Sequence, residues 1–159
     1  MLVLVLAGCS STPPAPVPRP PPAPYWMARS DRELDDALRG ACERAVGRGA
    51  PVLVAFSAPW CTDCRALRKL EGQEPLASEL AGWEEVVVDV GRFDRHEALL
   101  AHFGVDRIAW WAALRPTDCG RPVVEWEVLK TGVFEPESGS GPKTADAVAG
   151  WLVAAREGR

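Results

Sequence analysis

The chain has 159 residues, 47% of them hydrophobic and 25% charged. This length supports one globular domain with its own core and is too short for two domains of usual size. The formal net charge is −4 and the sequence has no long run of Lys or Arg. A basic surface for a nucleic-acid backbone is therefore not expected, and nucleic acid is not a predicted partner.

The first ten residues, MLVLVLAGCS, form an apolar run that ends in a cysteine. The run is too short to span a bilayer and is typical of a secretory signal. It resembles the bacterial lipobox, which implies that residues 1–8 are removed and that Cys9 carries lipid. No basic residue precedes the run, so an upstream start, a misassigned start codon and a chance apolar N-terminus remain as alternatives.

Residues 10–24, SSTPPAPVPRPPPAP, are too rich in proline for a helix or a sheet. Such a sequence favours extended polyproline II and acts as a semi-rigid spacer. We therefore predict that residues 9–24 form an anchor and linker that holds the domain off a membrane, although a ligand for a proline-binding domain is an alternative. The lipobox resemblance implies the bacterial cell envelope, facing the periplasm, and Ser10 after the anchor fits outer-membrane sorting.

The folded domain is predicted to occupy residues 25–159. Ser30 and Glu33 have the spacing of a capping box, which predicts the start of a first helix. Apolar residues then recur at helical spacing as far as Ala45, and the glycines at 47–49 predict the end of this helix.

The next segment, PVLVAFSA at 51–58, is a short apolar run typical of a buried strand. A helix from about Cys61 to Leu70 is predicted to follow it. The remaining predicted elements are strands at 83–90, 108–115 and 122–129, a helix at 95–103, and a last helix capped by Thr144. The order α-β-α-β-α-β-β-α predicts an α/β sandwich with a small mixed sheet.

The motif that best indicates a function is VLVAFSAPWCTDCRALRKLE at 52–71. An apolar strand, Trp-Cys-X-X-Cys and a basic amphipathic helix follow one another directly, and this arrangement resembles the thioredoxin-like family. The resemblance extends from about Asp31 to Glu157. It implies a thioredoxin-like α/β/α sandwich with a small mixed central sheet and a thiol-disulfide oxidoreductase activity. It also implies that no cofactor is needed beyond the cysteine pair.

The predicted position of the pair suggests its chemistry. A helix N-terminus has unpaired N–H groups and partial positive charge, so the thiolate of Cys61 would be stabilised there and would act as the nucleophile. Cys64 would resolve the mixed disulfide, and Trp60 would form part of the docking surface. A bracing disulfide is an alternative, although a bridge over so short a loop removes little chain entropy.

A metal site is a second alternative for the pair. Structural zinc usually needs four ligands, and Cys42 and Cys119 stand alone rather than as a second close pair. His96 and His102 are predicted to lie on different helix faces, so we predict no metal ligand.

Thr62 and Asp63 lie between the cysteines and are predicted to tune the pair. A carboxylate beside Cys61 disfavours its thiolate and therefore favours the disulfide, which indicates a reductant. The positive charges of Arg65 and Arg68 would offset this effect on the Cys61 thiolate. The alternative is that both simply belong to a solvated helix face.

The sequence departs from the thioredoxin-like pattern at two positions. Ala55 stands where the family has a buried Asp that assists proton transfer, and Asp63 is a candidate replacement acting through water. Ala109, in GVDRIAWW, stands where the family has a cis-proline that docks substrate and keeps metals off the pair. Since a cis bond before a non-proline residue costs several kcal/mol more, we expect the peptide before Ala109 to be trans.

Cys42 and Cys119 have two interpretations. Cys42 falls on the apolar stripe of the first helix, where a cysteine acts as a small apolar residue. A secreted protein also permits a disulfide between Cys42 and Cys119, which lies in the turn sequence RPTDCGRP.

We therefore interpret the chain as a monomeric, lipid-anchored envelope oxidoreductase. It would exchange the Cys61–Cys64 dithiol with thiols and disulfides of partner proteins, mainly as a reductant. The alternative, favoured by Ala55 and Ala109, is a non-catalytic thioredoxin-like module that binds a partner or handles copper.

Overall fold

The computed structural model describes residues 24–139 and 141–158. The predicted signal segment, Cys9, Ser10 and the linker as far as residue 23 lie outside the described residues. Within the described part of the chain, no helix is both long and apolar enough to cross a membrane.

The domain contains five α-helices and four strands in the part of the chain that the structure describes. The helices are α1 (Asp31–Arg48), α2 (Thr62–Glu71), α3 (Leu76–Leu80), α4 (Glu97–Phe103) and α5 (Ala145–Arg156). The strands are β1 (Val52–Ser57), β2 (Glu84–Asp89), β3 (Trp110–Arg115) and β4 (Glu127–Val133), and a 3-10 turn at Val123–Glu125 precedes β4.

The four strands form one mixed sheet in the order β2-β1-β3-β4. β1 runs parallel to β2 and antiparallel to β3, and β3 runs antiparallel to β4. Helix α1 packs on β1 and β2, whereas α5 packs on β3 and β4. This arrangement confirms the predicted α/β class with a small mixed sheet.

β1 is the centre of the domain because every residue of VLVAFS is buried. A strand that is covered on both faces needs apolar side chains on both faces, as this sequence provides. At the start of α1, Ser30 Oγ accepts the N–H of Glu33, and the Glu33 carboxylate accepts the N–H of Ser30 at 2.7 Å. The predicted capping box therefore fixes where the first helix begins.

The structure differs from the sequence interpretation in two elements. The last strand was predicted at 122–129 but lies at Glu127–Val133, because the chain after Pro122 first makes a 3-10 turn. Helix α3 was not predicted at all. Its five residues are too few to show a helical period in the sequence.

A disulfide joins Cys42 of α1 to Cys119 in the loop between β3 and β4, with 5.6 Å between their Cα atoms. Since β3 starts opposite Phe56 and ends opposite Val52, this loop lies at the end of the sheet away from Cys61. The bridge spans 77 residues. Closing a loop of that size removes unfolded-state entropy equivalent to about 4.5 kcal/mol of stability.

Candidate active site

The Cys61–Cys64 pair lies where β1 ends and α2 begins. Cys61 is the N-cap of α2, with an extended backbone at φ −74° and ψ 120°. Its Sγ accepts the backbone N–H of Cys64 at 3.1 Å. The sulfur therefore takes the position that a serine or aspartate oxygen takes in an ordinary helix cap.

The environment of Cys61 stabilises its thiolate. A hydrogen bond from the Cys64 thiol is the main cause that lowers the pKa of Cys61 to about 7, and backbone N–H groups of Cys64 and Asp63 add to it. Burial and the charge of Asp63 act in the opposite direction. A large share of Cys61 is therefore thiolate at neutral pH, which is the form that attacks a disulfide.

Cys64 has the opposite character. It is 2% exposed. Its hydrogen bond to Cys61 and its burial both raise the pKa of Cys64 above the ordinary thiol value. Cys61 is thus ready to attack a disulfide, whereas Cys64 is buried and keeps its proton.

Trp60 forms an exposed rim beside the pair. Its side chain is 43% exposed, and its indole N–H donates to the Gly91 carbonyl at 2.6 Å. The Phe93 ring centroid lies 6.3 Å from that of Trp60, and the Arg92 guanidinium lies 6.0 Å away. This contribution from the loop after β2 is not predicted from the sequence, because no local motif marks it.

Ala109 lies in the segment that faces Cys61. Cys61 Sγ is 3.6 Å from the carbonyl oxygen of Ile108, the residue before Ala109. The expectation that the Ile108–Ala109 peptide is trans is wrong, because this peptide is cis in the structure. That expectation used the preference of an isolated peptide, whereas the packing around Ala109, which is 1% exposed, decides the local backbone.

Asp63 holds the loop after β4 against the start of α2. Its carboxylate accepts the N–H groups of Glu137 at 2.7 Å and Ser138 at 3.1 Å, and the Ser138 hydroxyl at 2.6 Å. Although burial would raise it, these hydrogen bonds keep the pKa of Asp63 below its usual value. Both oxygens are therefore engaged with the loop, and Asp63 anchors that loop to the first turn of α2.

Thr62 and Arg65 are exposed at the first turn of α2. Arg65 donates to the Pro59 carbonyl at 2.8 Å and to the Thr62 hydroxyl at 3.4 Å. The arginine therefore braces the loop that carries Trp60.

Ser57 is a site residue that the sequence analysis missed. It is the last residue of β1 and is 3% exposed. Cys61 and burial raise the pKa of Cys64, and the Ser57 side chain acts in the opposite direction. The indole N–H of Trp26 donates to Ser57 Oγ at 2.9 Å. The one available signal was that Ser57 is the single polar residue in VLVAFS.

Residues 24–139 and 141–158 contain no group of three or more His, Cys, Asp or Glu side chains that could hold a metal ion. His96 instead pairs with Asp31 of α1 at 2.6 Å, and His102 stacks edge-on against Phe103.

No family model matches the chain. The chain is 27% identical over 126 residues to protein disulfide isomerase-like 2-1 of Oryza sativa subsp. japonica, and the alignment covers 77% of this chain and 30% of that protein. The chain thus spans less than a third of the length of this relative.

The domain resembles several solved structures, two of which are described here. The disulphide isomerase from Xylella fastidiosa Temecula1 matches with a TM-score of 0.61 and 23% identity, covering 80% of this chain and 93% of that one. A thioredoxin from Thermus thermophilus matches with a TM-score of 0.52 and 18% identity, covering 74% and 80%. The fold is therefore thioredoxin-like, as predicted, and the spacing of Cys61 and Cys64 fits it.

The different environments of the two thiols predict different reactivities. Alkylation of Cys61 by iodoacetamide should rise with pH, because the thiolate reacts, and should be half-maximal near the pKa of about 7. Cys64 should react more slowly at every pH. Replacing Cys64 with Ala removes the main donor to Cys61, so the Cys61 midpoint should move to higher pH.

Mass spectrometry of digested protein would assign each rate to its cysteine. A Cys61 midpoint at the ordinary thiol value of about 8.5, or faster labelling of Cys64, would contradict the assigned roles.

Proposed function

We propose that the protein is an envelope thiol-disulfide oxidoreductase that exchanges the Cys61–Cys64 dithiol with disulfides of partner proteins, acting as a reductant. The observation that supports it best is the position of Cys61 Sγ as the N-cap of α2, 3.1 Å from the N–H of Cys64. An ordinary structural cysteine has no need for a stabilised thiolate, whereas a disulfide reductant depends on one.

The reaction requires two exchange steps. The Cys61 thiolate attacks one sulfur of the partner disulfide, forming a mixed disulfide and releasing the other sulfur as a thiolate. Cys64 then attacks Cys61 Sγ, which releases the second partner sulfur and closes the Cys61–Cys64 disulfide. The partner gains two electrons. The proton of Cys64 passes to one released partner sulfur, and the other takes its proton from the solvent. A second dithiol must reduce the pair again before another turnover.

The balance at Cys61 supports the proposed direction of electron flow. Strongly oxidising members of this chemistry stabilise the thiolate far below neutral pH, whereas reducing members have a nucleophile that titrates near pH 7. The pKa of Cys61, about 7, belongs to the second group. The charge of Asp63 raises the pKa of Cys61 and so favours the disulfide form, as a reductant requires.

Docking of the partner would use the surface around the pair. Trp60 offers an exposed aromatic face, and Ala109 follows the carbonyl that faces Cys61. Because a monomer already contains both cysteines and this rim, exchange does not need a second copy of the chain.

The envelope location rests on the sequence of the N-terminus. Cys9 in its lipobox-like context would anchor the chain, and the proline-rich residues 10–24 would hold the domain away from the membrane. The Cys42–Cys119 disulfide suits an oxidising compartment such as the periplasm. The membrane to which the anchor sorts would be the outer one if Ser10 acts as its context implies.

Reductase activity tests the function. With a disulfide-bonded test protein and excess dithiol, the wild-type chain should accelerate reduction, and Cys61→Ser should abolish the acceleration because the nucleophile is lost. The matched control replaces both Cys42 and Cys119 with Ala. Assayed below its lowered melting temperature, it should keep the activity, since that bridge lies at the other end of the sheet.

A wild-type chain with no reductase activity would contradict the proposal. Copper bound by the reduced pair under the same conditions would then favour the alternative of a metal-handling module.

The anchor has its own test. In a bacterial host, Cys9→Ser should move the protein from the detergent phase to the aqueous phase of a detergent separation, because the lipidated residue is lost. Ser10→Ala should leave it in the detergent phase. The wild-type protein in the aqueous phase would rule out lipidation at Cys9.

A further inference from the structure

The loop after β2 contains a tight turn at Gly91, Arg92 and Phe93. Asp89, the last residue of β2, accepts the N–H of Gly91 on Oδ1 at 3.0 Å. Asp94 accepts the N–H of Arg92 on its Oδ1 at 2.8 Å. Carboxylates at both ends of the turn therefore fix its backbone.

Two residues of this turn have left-handed backbone conformations. Gly91 has φ 60° and Phe93 has φ 66°. Glycine adopts this conformation without strain, and a Cβ at position 91 would collide with Asp94 Oδ1. For a bulky residue such as Phe93 the conformation is strained, and strain of this kind is concentrated where a functional side chain must be placed.

The turn places two side chains against Trp60. The indole N–H of Trp60 donates to the Gly91 carbonyl at 2.6 Å, and the Phe93 ring centroid lies 6.3 Å from the Trp60 ring. The Arg92 guanidinium lies over the same ring, 6.0 Å from its centroid. Since Trp60 directly precedes Cys61, this cation lies on the rim of the reactive pair.

Arg92 has donors to offer at this rim. Among the residues that the structure describes, it forms no ion pair and no side-chain hydrogen bond, whereas Arg95 and Arg107 each pair with a carboxylate. Asp94 is close in sequence, but its Oδ1 accepts the backbone N–H of Arg92. A guanidinium that stacks on an aromatic ring keeps its planar edge of N–H groups available, and this edge matches a carboxylate.

A second guanidinium, that of Arg65, lies near the same tryptophan. Arg65 donates to the carbonyl of Pro59 at 2.8 Å and to the Thr62 hydroxyl at 3.4 Å. These bonds use two of its five N–H donors, and Arg65 forms no ion pair within the described ranges. The chain has a net charge of −4, so two arginines without carboxylate partners beside Trp60 differ from its general charge.

We propose that Arg92, assisted by Arg65, binds a carboxylate of the partner protein, so that the preferred partner segment carries Asp or Glu within a few residues of its disulfide. This inference rests on the proposed function and names the class of segment that the site selects. Trp60 would contact the apolar part of that segment. Arg92 would thus determine specificity by holding the partner disulfide near Cys61, and the exchange steps themselves would not change.

Single-turnover reduction of model peptides tests this selection. Each peptide contains one disulfide and has either Glu or Gln at one position within a few residues of a cysteine. The full chain carrying Cys9→Ser, reduced at Cys61–Cys64 with Cys42–Cys119 still closed, reduces the peptide and becomes oxidised itself. Acid quenching and chromatography measure the reduced peptide. Each rate is divided by the rate at which dithiothreitol reduces the same peptide, which corrects for the effect of Glu on the disulfide.

At low salt, the wild-type chain should reduce the best Glu peptide about fivefold faster than its Gln counterpart, as expected of an exposed ion pair. Arg92→Gln should lower this Glu:Gln ratio towards one, and Arg92→Glu should bring it below one because like charges repel. Arg92→Lys should retain part of the preference, since it keeps the charge but not the planar fork. Added salt should lower the wild-type ratio.

Arg121→Gln is the matched control. It removes the same charge from the loop between β3 and β4, at the end of the sheet away from Cys61, where Arg121 pairs with Glu125. This variant should keep the wild-type ratio. The ratio also separates recognition from structure, because a turn that had only lost its order would slow both peptides and leave the ratio unchanged.

An unchanged ratio in Arg92→Gln, an equal fall in Arg121→Gln, or a wild-type preference for Lys at the same position would overturn the inference. If Arg92→Gln failed to fold, Arg92→Lys and Arg65→Gln would decide, since both should lower the ratio in part.

These results also separate the inference from the proposed function. A wild-type chain that reduces neither peptide would overturn the proposed function and this inference with it. A wild-type chain that reduces the Glu and Gln peptides equally at every position would overturn this inference alone.

Discussion

The hydrogen bond from the backbone N–H of Cys64 to the sulfur of Cys61 caps α2 and adds to the stabilisation of the Cys61 thiolate, which comes mainly from the Cys64 thiol. A helix start leaves backbone donors without partners, and here a sulfur rather than an oxygen satisfies one of them. One interaction therefore caps the helix and also contributes to stabilising the thiolate. Any change that moves the start of α2 relative to β1 must alter the reactivity of Cys61 as well.

Three separate parts of the chain keep that interaction in place. The buried strand β1 delivers the pair to the edge of the core. The Asp63 carboxylate ties the first turn of α2 to Glu137 and Ser138 after β4. On the other side, the indole N–H of Trp26 donates to Ser57 at the end of β1. Thus the segment next to the proposed membrane linker is held at the end of β1, and the loop after the last strand is held at the start of α2.

The fold class and the position of the cysteine pair can be predicted from the sequence. The apolar run at β1, the Trp-Cys-X-X-Cys motif and the capping box at Ser30 are local signals, and each appears in the structure at its predicted place. The last strand lies further along the chain than predicted, because the turn after Pro122 has no distinct local signal.

The contacts that complete the site could not be predicted, because they join residues that are far apart in sequence. Trp26 and Ser57 are 31 residues apart, and Asp63 and Ser138 are 75 apart. The peptide before Ala109 shows the same limit of prediction from local sequence. A local peptide preference gave the wrong isomer where tertiary packing decides the backbone.

The most direct test of the central claim is to identify the sulfur that a partner disulfide meets first. Cys64→Ser should accumulate a stable mixed disulfide with a disulfide-bonded peptide, since Cys61 can attack but nothing resolves it. Peptide mapping by mass spectrometry is expected to place the adduct on Cys61, and Cys61→Ser is expected to form little or none. Equal adduct formation by the two variants, or none by Cys64→Ser, would contradict the assignment of Cys61 as the nucleophile.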